Sequence, residues 1–88
     1  MKHTRGEVRA INRQSGLVGV YVEESGHTVF ELRSVNDIDI GDVIEWDSGT
    51  ATGLQPFRNT TKRWTADVYV ENHGVAAASL EVQLMVGP

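Results

Sequence analysis

No cysteine occurs in this chain of 88 residues, which removes any disulfide framework and any thiolate metal site. No apolar run approaches the roughly 18 residues that a membrane-spanning helix needs. The opening stretch "MKHTRGEVRA" lacks the apolar segment and small-residue cleavage site of a secretory signal, so a soluble, cytoplasmic protein without a membrane partner is expected. No glycine-rich phosphate loop and no nucleophile motif is present, and His3, His27 and His73 have no metal-ligand spacing. An enzyme is therefore not expected, nor a cofactor, and the three histidines read as surface residues. The chain also lacks a basic excess: its formal net charge is −4, which argues against coating duplex DNA by bulk attraction.

What is present is segregated charge. Asp37, Asp39, Asp42, Glu45 and Asp47 crowd one stretch, whereas residues 48–66 carry no acid and three bases, Arg58, Lys62 and Arg63. These bases lie between Phe57 and Trp64 in "PFRNTTKRW". Asn59-Thr60-Thr61 fits the glycosylation pattern, which matters only in a secreted protein. In "DIDIGD" the aspartates alternate with Ile38 and Ile40, which reads as strand alternation and lacks the closing bidentate Glu of a calcium loop.

Period-2 patterning recurs along the chain and no amphipathic helical window appears, so an all-β domain of short strands is expected. "GEVRAINR" puts Val8 and Ala10 on one side and Glu7, Arg9 and Ile11 on the other. "GLVGVYVEE" and "HTVFELRSV" follow, joined at Glu24-Ser25-Gly26 by a turn with Gly where positive φ costs least. "GDVIEWDS" is a fourth strand, and "DSGTATGLQP" reads as a loop or irregular edge. "ADVYVEN" alternates Val68 and Val70 against Tyr69 and Glu71. The tail "LEVQLMV" alternates Leu80, Val82, Leu84 and Val86 against Glu81, Gln83 and Met85, as a last strand would, while Ala76-Ala77-Ala78 could form one helical turn. Five or six strands in one domain, residues 1–88, favour a small OB-type barrel, which closes its edges with fewer strands than a sandwich.

The run "GEVRAIN", then "SGLVGVYVEESGHTVFEL", then "IDIGDVIEW", over about residues 5–47, resembles the cold-shock domain, an OB-type barrel. Gly6, Val8, Arg9 and Asn12 fall on that family's opening Gly, Val, Lys and Asn; Gly16 and Gly19 stand for its two glycines, with one extra residue between them; Val29 and Phe30 fall on its Val-Phe. "HGVAAASLEV" is similar to its closing strand, which leaves residues 49–72 as an inserted loop or hairpin. The resemblance implies single-stranded nucleic-acid binding by base stacking on aromatic rings. Here Ala10, Ile11, Leu17 and Val20 stand where the family has aromatics, Glu31 and Leu32 stand where its second motif runs on towards His and Phe, and of that platform Phe30 remains.

Two readings of function follow. In the first, Phe57, Arg58, Lys62, Arg63 and Trp64, helped by Arg9, Arg13 and Phe30, bind single-stranded RNA or DNA weakly: the cations reach phosphates and the rings stack bases. Arg5, Arg9 and Arg13 recur every fourth residue and would share a strand face that Glu7 partly neutralises. In the second, Phe57 and Trp64 are core anchors, their cations are a solvated edge, and the protein is a small adaptor barrel that binds a protein partner or itself.

Overall fold

A computed structural model describes residues 3–33 and 36–85. Six strands, β1 (Thr4–Asn12), β2 (Leu17–Val22), β3 (Gly26–Leu32), β4 (Val43–Trp46), β5 (Gly53–Asn59) and β6 (Trp64–Val75), close into an antiparallel barrel in the order β1-β2-β3-β6-β5-β4. β4 returns to lie beside β1, the Greek-key arrangement, with Gly6 opposite Ile44. The all-β barrel expected from the alternation is therefore present, with six staves, and is compatible with an OB-like fold.

The turn after β2 is the one foreseen: Glu24 takes φ 66° and Gly26 φ 83°, so β3 pairs with β2 from Gly26 opposite Val22 to Glu31 opposite Leu17. Val68 and Val70 point inward from β6 while Tyr69 and Glu71 face out. The barrel interior is filled by Val8, Val18, Val20, Phe30, Ile38, Ile44, Trp46, Phe57, Val68 and Val70, each nearly or wholly buried. Residues 49–72 hold β5, the turn after it and most of β6, so this stretch supplies two staves.

Several local expectations are corrected. A bulge between Val8 and Ala10 breaks the alternation of β1. Val8 and Ile11 thus belong to the inner cluster while Ala10 joins the outer one. Within "DSGTATGLQP" only residues 47–52 are irregular, because Gly53–Pro56 already pair with β6. Asp37–Asp39 form no strand; Ile38 turns into the core while Ile40 is 61% exposed on a turn. Ser34 and Val35, at the end of the third expected strand, and Val86, at the end of the tail, lie outside the described residues.

The largest correction concerns the tail. Ala77–Met85 is a helix, α1, not a closing strand. Leu80 and Leu84 satisfy a period of two and also the i, i+4 spacing of one helix face. Ala, Leu, Glu, Gln and Met are good helix formers, and the closed barrel offers no free strand with which a seventh could pair. Leu80 and Leu84 pack on Leu17, Val29, Val75 and Ala10, outside the barrel. Each buried leucine contributes about 1.5–3 kcal/mol. Nine residues are fewer than an isolated helix needs, so α1 exists by virtue of this docking.

Candidate functional site

The segment 56–64 spans the end of β5, a turn and the first residue of β6. Phe57 is fully buried, stacked on Trp46 at 4.3 Å between ring centroids and edge-on to Phe30 at 5.1 Å. Phe30 is fully buried as well. Base stacking by Phe30 and Phe57 is thereby corrected: the strand alternation that makes them look like a platform turns both rings inward, where they fill the barrel. Trp64 is half-buried against the same core, and its indole Nε1 donates to the Asp37 carbonyl at 2.6 Å.

The cations of the segment are mostly spent within the molecule. Arg58 donates to Asp47 at 3.1 Å and lies 3.8 Å from Glu45. These hydrogen bonds hold the Asp47 carboxyl below the ordinary carboxylate range and raise the Arg58 guanidinium. Lys62 Nζ lies 2.8 Å from Asp42 and 3.1 Å from Asp39. Arg63, exposed and at φ 63°, has no ion-pair partner among the described residues. The acidic stretch and the basic stretch, separate in sequence, are thus one electrostatic unit in space.

Its centre is Asp42, almost wholly buried. Asn59 Nδ2 donates to Asp42 Oδ2 at 2.8 Å, and the Asp39 amide donates to the same oxygen at 3.0 Å. Asn59 Oδ1 accepts from the Lys62 amide at 2.8 Å. Burial works to raise the Asp42 carboxyl, but the bonds from Lys62, Asn59 and the Asp39 amide outweigh it and hold the group below its ordinary value. This clasp ties the turn before β4 to the turn after β5. It is invisible in the sequence, where Asp42 is one acid among five. Because Asn59 is buried with its Nδ2 bonded to Asp42, a glycan on it does not fit this fold.

Arg9 lies over the Tyr21 ring at 4.9 Å and 3.2 Å from Glu7. Arg13 sits in the turn beyond β1, donating to the Ile38 carbonyl at 3.0 Å and standing 3.4 Å from Asp39. The stripe expected of Arg5, Arg9 and Arg13 is interrupted, because Arg13 has left the strand and Arg5 lies 3.8 Å from Glu45. Of the histidines, His3 is exposed, whereas His27 is buried and its Nδ1 donates to the Val75 carbonyl at 3.1 Å. Half-buried His73 donates from Nε2 to the Ala51 carbonyl and accepts at Nδ1 from the Thr28 hydroxyl at 2.9 Å.

The positions where the cold-shock resemblance lacks aromatics have a structural account. Ile11 and Val20 face the interior, while Ala10 and Leu17 lie under α1. A Cβ placed on Gly19 would stand 2.7 Å from Leu80 Cδ1, so the bare position lets Leu80 seat without moving its side chain. The outer face of β1–β2–β3 is thus an apolar bed for α1. Beside α1 runs an open groove of about 730 Å³, bounded by the β1–β2 turn, Ile40 and the helix residues Ala77, Glu81 and Met85. Ile40 is 61% and Met85 75% exposed.

Comparison of the chain with protein-family models, with curated proteins and with solved structures gives no match.

Proposed function

We propose that this protein is a small accessory barrel that binds a protein partner, taking an apolar segment of low net charge into the groove beside α1. The observation that carries this reading is the contrast between two surfaces. The basic-aromatic segment has its phenylalanine inside and, among the described residues, all but one of its cations paired, whereas Ile40 and Met85 stand uncovered on the groove. Arg13 and Glu81 border the groove with one charge of each sign, and Arg13 is already held by Asp39. A polyanion gains little there, while a nearly neutral apolar segment loses no paired charge on entering. Kinship with the cold-shock domain is part of the same proposal at the level of ancestry: the glycines and valines of its barrel are kept, while of the ring positions Ala10 and Leu17 seat the helix and Ile11 and Val20 face the interior.

Selection of a random phage-displayed peptide library on the full chain tests the reading. Peptides with two apolar anchors and near-zero net charge are expected. Ile40→Lys and Met85→Lys should each weaken the selected peptides at least about tenfold, as loss of a buried anchor does. The contrary result is a library that yields no such peptide, together with a mixed single-stranded oligonucleotide that binds near 50 mM salt and is released by added salt. That outcome would restore nucleic acid as the ligand.

A further inference from the structure

We propose that the groove beside α1 takes its occupant as an extended strand, added to an open edge of β1 at residues 10–12. This rests on the groove reading above and gives the partner a conformation. Every strand of the closed barrel has two neighbours, but the pairing along β1 is incomplete. On one side β2 pairs from Glu7 to Asn12; on the other, β4 pairs only from Thr4 to Glu7. Val8 ends that second side, its amide donating to the Asp42 carbonyl and its carbonyl accepting from the Gly41 amide, each at 2.9 Å. There the chain turns away: Gly41 sits at φ 93°, and the Asp42 amide donates to the Asp39 carbonyl at 3.1 Å. Among the described residues no strand pairs the second edge of residues 10–12.

Two further observations put that edge in the groove. Residues 4–9 alternate between more and less exposed, whereas Ala10, Ile11 and Asn12 are half-buried in succession. Ala10, Ile11, Asn12, Arg13 and Gln14 also line the groove one after another. The face of a strand contributes every second residue, so an unbroken run marks an edge. An open edge offers its N–H and C=O groups to any backbone laid beside it, and a helix, with its own groups already paired, has none to give in return. Residues 10–12 span about 10 Å at roughly 3.3 Å per residue, so the added strand pairs over a short stretch. It runs antiparallel to β1, as β2 and β4 do, with its side chains against Ile40, Ala77 and Met85. A second copy of the barrel fits less well, because the edge lies between α1 and the exposed Ile40, which admit one strand and hold a whole barrel off.

Peptides selected from the phage library on the full chain are the probe, so no variant of the barrel has to fold. N-methylation of a selected peptide, one position at a time, should weaken binding at least about tenfold at alternate positions and less than about twofold at those between, because only every second N–H of an added strand faces β1. The Cα chemical shifts of the bound peptide should be those of a strand, and exchange of amides within residues 10–12 should slow on binding. Bound peptides with helical shifts, or N-methyl losses without alternation, overturn the strand while leaving the groove reading in place. A selection that yields no apolar peptide of low charge removes both. A chain that dimerises with the amides of residues 10–12 protected in the dimer overturns the choice of occupant, since the edge would then pair with itself.

Discussion

Phe57→Ala should destabilise the fold by about 3–5 kcal/mol, the largest single effect expected here. Phe57 lies between Trp46 and Phe30, fully buried, and its removal leaves a cavity bounded by two rings that cannot both slide into it. A domain of this size has roughly 4–13 kcal/mol of stability in all, and each kcal/mol moves the midpoint by about 4–8 °C. The melting temperature should therefore fall by about 12–40 °C. Arg63→Gln, exposed on the same segment, should leave the midpoint nearly unchanged, and Arg58→Gln, which gives up the surface pair with Asp47, should lower it only slightly. Thermal melts of the three variants check both statements. A Phe57→Ala protein that melts with the unmodified chain would mean that the ring is not in the core.

Asn59→Ala is expected to rank second, at about 2–4 kcal/mol, since it removes a hydrogen bond to a buried carboxylate and another to a backbone amide. Its loss should depend on pH. The folded-state Asp42 group sits below its unfolded value, so its contribution is present above the ordinary carboxylate range and is lost as pH falls through the folded value. Taking away the Asn59 bond lets the Asp42 carboxyl move back up, so the variant has less of that contribution to lose. The stability difference between the two proteins should therefore be largest near pH 7 and shrink below about pH 4. Urea titrations at several pH values follow it. A difference that stays constant from pH 7 to pH 2 would show that Asn59 acts by packing alone.

The barrel was legible because its signals are local. Val68 and Val70 against Tyr69 and Glu71, and Gly26 after Glu24-Ser25, each need only a few neighbouring residues to be read. The misreadings arise where a decision belongs to distant parts of the chain. Leu80 and Leu84 fit a strand and a helix equally until one knows that β6 has already closed the barrel and that Gly19 leaves room for Leu80. Phe57 beside Arg58 reads as a platform until Trp46 and Phe30 are seen on either side. Lys62 looks free because Asp42 stands twenty positions earlier. Charge segregation in sequence thus became charge neutralisation in space.

The pairing of β3 with β6, which joins His27 to Val75 and Leu32 to Val68, has a consequence for how the chain folds. The hairpins β2–β3 and β5–β6 can form on their own, but ring closure must bring together segments some forty residues apart, and the entropy of that loop is lost before any contact repays it. Chains dominated by such distant pairings fold in milliseconds to seconds, not microseconds. Until closure the Phe30 and Phe57 rings remain wet, so the unsealed barrel carries apolar surface that the finished one hides.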